Sequence, residues 1–199
     1  MYTGIVSGAV PILGIDDGDG FRKFSVDLTG FDEGLVTGAS VSLDGVCMTV
    51  VSIDSGNVSF DAISETLERT TLAEREVGDL LNIERSMKLG DELGGHILSG
   101  HVMGTAEILE LRMIGEGVDL RISIPEGCEP FILKKGFIGI DGMSLTVGNC
   151  DEKSFDLHII PETLRISTLD NKLVGDRVNI EIDSRTQAVV ETMLRMGKL

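Results

Sequence analysis

The strongest constraint on this chain is that it is written twice. TGIVSGAVPIL at 3–13 matches SGHVMGTAEIL at 99–109, and KFSVDLTG at 23–30 shares its apolar spacing with DLRISIPEG at 119–127. GASVSLDGVCMTV at 38–50 returns as GFIGIDGMSLTV at 136–147. VSFDAISETLERTTL at 58–72 answers KSFDLHIIPETLRISTL at 153–169, and VGDLLNIE at 77–84 answers VGDRVNIE at 174–181. The five blocks keep their order, and the offset stays between 95 and 98 residues. Such order at one spacing marks two homologous domains in tandem.

Each unit reads as strands. Phe24, Val26 and Leu28 alternate with polar neighbours, as do Val58, Phe60 and Ala62 in the same unit. Val118, Leu120, Ile122 and Ile124, and then Val178, Ile180 and Ile182, alternate in the second unit. Period-two alternation means one buried face and one wetter face. DGDG at 17–20, DSGN at 54–57 and GEG at 115–117 supply hairpin turns. The 25 glycines and the 4% aromatic share also favour short strands over a helical bundle. About six strands per unit predict a closed barrel, because closure removes sheet edges.

The expected fold is therefore all-β: two tandem homologous six-stranded Greek-key-like barrels plus a C-terminal α-helix. The domains are placed at 1–92, 93–184 and 185–199, with the seam near MKLGDELGG at 87–95. The tail RTQAVVETMLRMGKL has no counterpart after the first unit. It lines up Val189, Met193 and Met196 on one helical face, beside Val190 and Leu194. A helix this short is marginal alone in water, so it must pack on its own barrel or on other subunits.

A net charge of −16 repels phosphate backbones and argues against nucleic-acid partners. No apolar run approaches a membrane span, and Met1 leads straight into TGIVSG without a basic-then-apolar leader. Cys47, Cys128 and Cys150 are odd in number and lack metal-ligand spacing. Together these predict a reduced, cytoplasmic protein with no disulfide and no membrane contact.

Several stretches invite a chemical reading. DDGDG at 16–20 lacks the carboxylate a calcium loop needs at its twelfth position and reads as a hairpin turn. His96 and His101 are five apart, which does not suit a metal pair on a helix, so no metal is expected. His101 stands where the first unit has Ile5, and a titratable ring in place of an apolar repeat partner suits proton transfer. A satisfied structural histidine is the plainer alternative. Cys47 and Ser144 are repeat partners, each followed two residues later by Thr49 or Thr146. Such polar pairs in apolar strands need hydrogen-bond partners, which a ligand or backbone can supply. Glu65–Thr66 and Glu162–Thr163 also match, with helix capping as the plainer explanation. A flavin-reductase barrel is disfavoured. Tyr2 is the lone tyrosine, leaving no Arg-x-Tyr-Ser/Thr stretch, and no G-x-G-x-x-G follows a strand.

MYTGIVSG, GASVSLDGVCMTV, KLGDELGGHILSGHV, KGFIGIDGMSLTV, IPETL and VNIEID together resemble the riboflavin synthase family over nearly the whole chain. The resemblance implies a transferase assembled as a homotrimer through C-terminal helices, with no cofactor or metal. Two molecules of 6,7-dimethyl-8-ribityllumazine would give riboflavin and 5-amino-6-ribitylaminouracil by transfer of a four-carbon unit. Lumazine synthase is a candidate partner.

The resemblance places a first-barrel pocket at Gly4, Ile5, Val6, Cys47, Met48 and Thr49, and along Asp61, Ala62, Ser64, Glu65 and Thr66. Gly100, His101 and Val102 join it from the stretch between barrels. A second pocket is placed at Lys135, Ser144, Leu145 and Thr146, and along Ile160, Pro161, Glu162, Thr163, Leu164 and Arg165. The catalytic roles expected on this footing are a proton relay of Ser144, His101 and Thr146. Cys47, with Ser40 nearby, would assist addition, and Asp141 would orient the second pocket. Tyr2 departs from the family, which often has Phe at this position, and its hydroxyl must find a partner. The rival readings are a non-catalytic lumazine- or flavin-binding antenna protein of the same fold, and a structural barrel scaffold.

Overall fold

A computed structural model describes residues 1–198; Leu199, the end of the expected tail helix, lies outside them. The first barrel comprises β1 (Gly8–Asp17), β2 (Phe21–Asp27), β3 (Ser40–Leu43), β4 (Val46–Asp54), β5 (Asn57–Ile63) and β6 (Leu80–Arg85). They close in the order β1-β2-β5-β4-β3-β6. The second barrel comprises β7 (Gly104–Ile114), β8 (Gly117–Ser123), β9 (Phe137–Ile140), β10 (Met143–Cys150), β11 (Ser154–Ile159) and β12 (Arg177–Ile182). Its order, β7-β8-β11-β10-β9-β12, repeats the first. Short helices α1 (Ser64–Arg69) and α2 (Pro161–Ile166) follow β5 and β11, and α3 (Ser184–Arg195) ends the chain.

The predicted hairpins close β1 to β2, β4 to β5 and β7 to β8. The alternating residues fill the barrels. Phe24, Val26, Val58 and Phe60 are fully buried in the first, and Ile122, Val178 and Ile180 in the second.

The strands β6 and β12 differ from the one-wet-face expectation. Asn82 and Glu84, and their repeat partners Asn179 and Glu181, point away from the barrel interiors yet are also buried. Their outer faces pack against the other barrel, along a pseudo-twofold seam. Asn82 accepts from the Thr168 backbone N–H at 2.8 Å and donates to the Asp141 carbonyl at 3.0 Å. Asn179 accepts from the Thr71 N–H at 2.8 Å and donates to the Asp44 carbonyl at 2.8 Å. On the seam the Asp44-Gly45 and Asp141-Gly142 turns meet back to back. All four residues have positive φ, as a two-residue hairpin turn demands.

The two buried aspartates are served unequally. Arg75 Nη2 lies 2.8 Å from Asp44 Oδ2, whereas Lys172 Nζ stands 3.7 Å from Asp141 Oδ2, which has no hydrogen-bond partner among the described residues. Burial, reinforced by the Asp44 charge and opposed by Lys172 and Arg75, pushes the Asp141 carboxyl up to about 6. A raised carboxyl binds its proton more tightly folded than unfolded, so its contribution is full below pH ~4 and is lost as pH rises through about 6. Relative to Asp141→Asn, the wild type should lose about 2–3 kcal/mol of unfolding free energy between pH 4 and 7. Paired denaturant titrations across that range check this; a constant difference would contradict it.

The tail helix is capped by Asp183, whose carboxylate accepts from the N–H groups of Arg185 (3.3 Å) and Thr186 (3.2 Å). Val190 docks on the second barrel core, while Val189, Leu194 and Met196 remain exposed.

Candidate active site

Two crossing segments build the site. Glu84 on β6 accepts from the Thr3 N–H at 2.6 Å, the Thr3 hydroxyl at 2.7 Å and the Gly4 N–H at 3.0 Å. Glu181 on β12 accepts from Ser99 and Gly100 with the same three distances. Burial raises the Glu84 carboxyl, and the Thr3 and Gly4 donors hold it back. Beyond its anchor each segment reaches the other barrel. The Gly100 carbonyl accepts from the Cys47 N–H at 2.9 Å, and the Gly4 carbonyl from the Ser144 N–H at 2.8 Å. Only glycine fits these crossings: a Cβ on Gly4 would stand 2.4 Å from Ser144 Cβ, and one on Gly100 2.5 Å from Cys47 Cβ.

This corrects the expected placement of Gly4, Ile5 and Val6. They lie against the second barrel, where Val6 joins the core, and not in the first pocket. Gly100, His101 and Val102 do join the first pocket.

The first cavity, about 320 Å³, brings together Cys47, Glu65, Thr66, Gly100, His101 and Val102, with Arg69 and Met103 beside them. Tyr2 reaches its edge, and its hydroxyl donates to Cys47 Sγ at 3.2 Å. The second cavity, about 270 Å³, brings together Lys135, Ser144, Leu145, Thr146, Ile160 and Thr163, with His158 added. It shares His158 and Ile160 with an adjoining open depression along Ile114–Asp119.

The second cavity has a lysine where the first barrel has a glycine. Lys135 holds φ +68, where its repeat partner Gly38 has φ +86. A side chain in the left-handed region costs roughly 1–2 kcal/mol, a cost that Gly38 avoids.

Ser144 is held in a pair that sequence reading missed. His96 Nδ1 lies 2.6 Å from Ser144 Oγ, and Ser144 Oγ also accepts the His96 N–H at 3.1 Å. In the tautomer that carries its proton on Nε2, Nδ1 accepts the serine proton. Burial lowers the His96 imidazole, and the Phe137 ring stacks on it with centroids 5.1 Å apart. A neutral imidazole bonded to a hydroxyl is a general-base arrangement. The available signal was that HILSGH falls between the units, where His96 has no repeat partner. Spacing alone suggested only a weak metal pair. Glu84, Glu181, Asn82 and Asn179 were hidden for another reason: they sit at strand positions that look wet when one barrel is considered alone.

Other expected residues fall elsewhere. His101 and Ser144 line different cavities, so no relay joins them within one chain. Asp141 is fully buried at the seam and reaches the second barrel through the Asn179 N–H at 2.6 Å, not through the cavity. Ser40 pairs with Thr49, while the residue opposite Cys47 is Ser42. The side chains of Met48, Ala62 and Leu164 enter the cores. Ser64 donates to the Gly20 carbonyl at 3.2 Å, and Asp61, Thr49 and Pro161 are exposed beside the cavities. Glu65 and Glu162 form no side-chain caps; Glu162 instead pairs with Arg165 at 2.6 and 2.8 Å, which lowers its carboxyl.

Sequence comparison matches the lumazine binding domain to residues 3–86 and again to 99–183. The riboflavin synthase of Escherichia coli (strain K12) is 46% identical over 198 residues, spanning 98% of this chain and 93% of that protein. The riboflavin synthase of Chlamydia pneumoniae is 41% identical over 200 residues, spanning 98% and 96%. Among solved structures, LumP complexed with riboflavin superposes with a TM-score of 0.84 at 28% identity, covering 92% of this chain and 99% of that one. LumP complexed with 6,7-dimethyl-8-(1'-D-ribityl) lumazine gives 0.83 at 26% over the same shares.

Proposed function

Because this chain belongs to the riboflavin synthase family and carries its lumazine binding domain twice, we propose that each cavity takes one 6,7-dimethyl-8-ribityllumazine and that the pair is dismuted to riboflavin and 5-amino-6-ribitylaminouracil. The observation that carries this is the duplication of one cavity, with repeat partners Cys47 and Ser144 each bonded through its backbone N–H to a segment that crosses from the chain leading into the other barrel. A reaction between two copies of one molecule needs two copies of one site. The four carbons lost by one lumazine are those gained by the other, so the exchange balances without an oxidant or reductant. Alignment of the two rings would turn a dilute encounter into a nearly unimolecular step, worth up to about 7–11 kcal/mol of barrier.

Ser144, activated by neutral His96, serves as the proton-transfer group of the second cavity, with Lys135 and Thr146 beside it. Cys47 and His101 serve the ring in the first cavity, with Glu65 and Thr66 placed for the ribityl hydroxyls. The two sets belong to different barrels, so they would combine where the first barrel of one subunit meets the second barrel of another. A homotrimer built through α3 accounts for this, and the exposure of Val189, Leu194 and Met196 supports it. Three free cysteines suit a reducing cytoplasm.

The similarity to LumP keeps the antenna reading in view. Mixing the purified protein with the lumazine decides between them. Riboflavin appearing at one molecule per two lumazines consumed supports the enzyme; stable lumazine fluorescence without riboflavin supports the antenna.

A further inference from the structure

The repeat gives the first barrel Cys47 where the second has Ser144, and each receives a polar partner from the stretch that leads into its own barrel. Ser144 has His96, whereas Cys47 has Tyr2. Tyr2 is 1% exposed and is fixed by a two-way backbone bridge to Leu98, with N–H···O distances of 2.8 and 3.0 Å. Its hydroxyl finds one partner, Cys47 Sγ, at 3.2 Å. Leu98, its own repeat partner, is equally buried but ends in methyl groups beside Gly139. The hydroxyl is thus placed at one barrel only. Burial raises the phenol far above its ordinary range, so Tyr2 stays a donor and the sulfur an acceptor.

We propose that Tyr2 is a positioning residue for Cys47: by donating to the sulfur it fixes the thiol's rotamer and leaves the S–H proton directed into the first cavity, toward the bound ring. The inference rests on the reading that this cavity holds lumazine. Packing of the aromatic ring survives Tyr2→Phe, so this change isolates the hydroxyl.

The chain has one tyrosine and no tryptophan, so its near-ultraviolet tyrosine band comes from Tyr2 alone. Loss of the phenol's acceptor in Cys47→Ala should shift that band to shorter wavelength and raise tyrosine emission, whether or not the enzyme turns over. Tyr2→Phe should lower kcat roughly fivefold, the scale of one hydrogen bond, at little-changed KM. In a Cys47→Ala background the same change should have no further effect, within about twofold. Multiplying losses, or an unaltered tyrosine band in Cys47→Ala, would overturn the proposal. If the wild type makes no riboflavin, the functional reading fails and the proposal with it; the tyrosine band then still reports whether the contact exists.

Discussion

Ser144→Ala should lower riboflavin formation by about 10²-fold while lumazine binding changes only a few-fold, because general acid–base groups act on the reacting step. The hydroxyl stands between the His96 N–H and Nδ1, at 3.1 and 2.6 Å. Burial favours the neutral imidazole, and its Nε2–H tautomer offers the Nδ1 lone pair to the serine proton. Phe137 fixes the ring plane. Removing the hydroxyl breaks the hydrogen bond that links this base to the second cavity. His96→Ala should give a similar loss, and the double variant little more than either alone, since the two act as one unit. Steady-state kinetics with a fluorescence titration separate the effects. Near-wild-type turnover in Ser144→Ala would remove Ser144 from the mechanism.

The second large effect concerns the seam. A Cβ on Gly45 would stand 2.6 Å from the Gly142 backbone nitrogen, at φ +82. Gly45→Ala must therefore pay the left-handed conformation and also push apart the two Asp-Gly turns. We expect about 3 kcal/mol or more of lost stability, or a Tm lower by about 6–12 °C. Gly78→Ala is the control: its φ is +98 but nothing lies within 4 Å, so it meets only the conformational cost of about 1–2 kcal/mol. Equal losses in the two variants would mean that the turns do not carry the inter-barrel contact. The seam also positions the crossing segments through Glu84 and Glu181, so Gly45→Ala should weaken lumazine binding before it unfolds the protein.

The sequence made the barrels legible because alternation and turn chemistry are local. Phe24, Val26, Val58 and Phe60 needed nothing beyond their own spacing to be placed inside. The second layer was not legible, because it depends on which barrel a segment meets. Gly4 to Val6 precede the first barrel in the chain, and the family resemblance put them in its pocket, whereas Glu84 directs them to Ser144. Asp141 was expected to orient the second pocket. Its true neighbour is the other turn, across the seam. Asn82 and Asn179 looked like solvent-facing strand positions until the second barrel covered them. His96 shows the same limit: a lone histidine between repeats gains meaning only when Ser144 folds against it. Cys47 and Thr66 line one cavity and Ser144 and Thr163 the other, because these residues repeat as pairs and the fold repeats with them.

Twin cavities demand twin ligands, and the stoichiometry of lumazine binding measures that directly. Titration of the purified protein, using a substrate analogue that cannot react, should saturate at two molecules per chain. Cys47→Trp, which fills the first cavity, and Ser144→Trp, which fills the second, should each leave one. Saturation of the wild type at a single molecule per chain would contradict the duplicated-site origin of the activity.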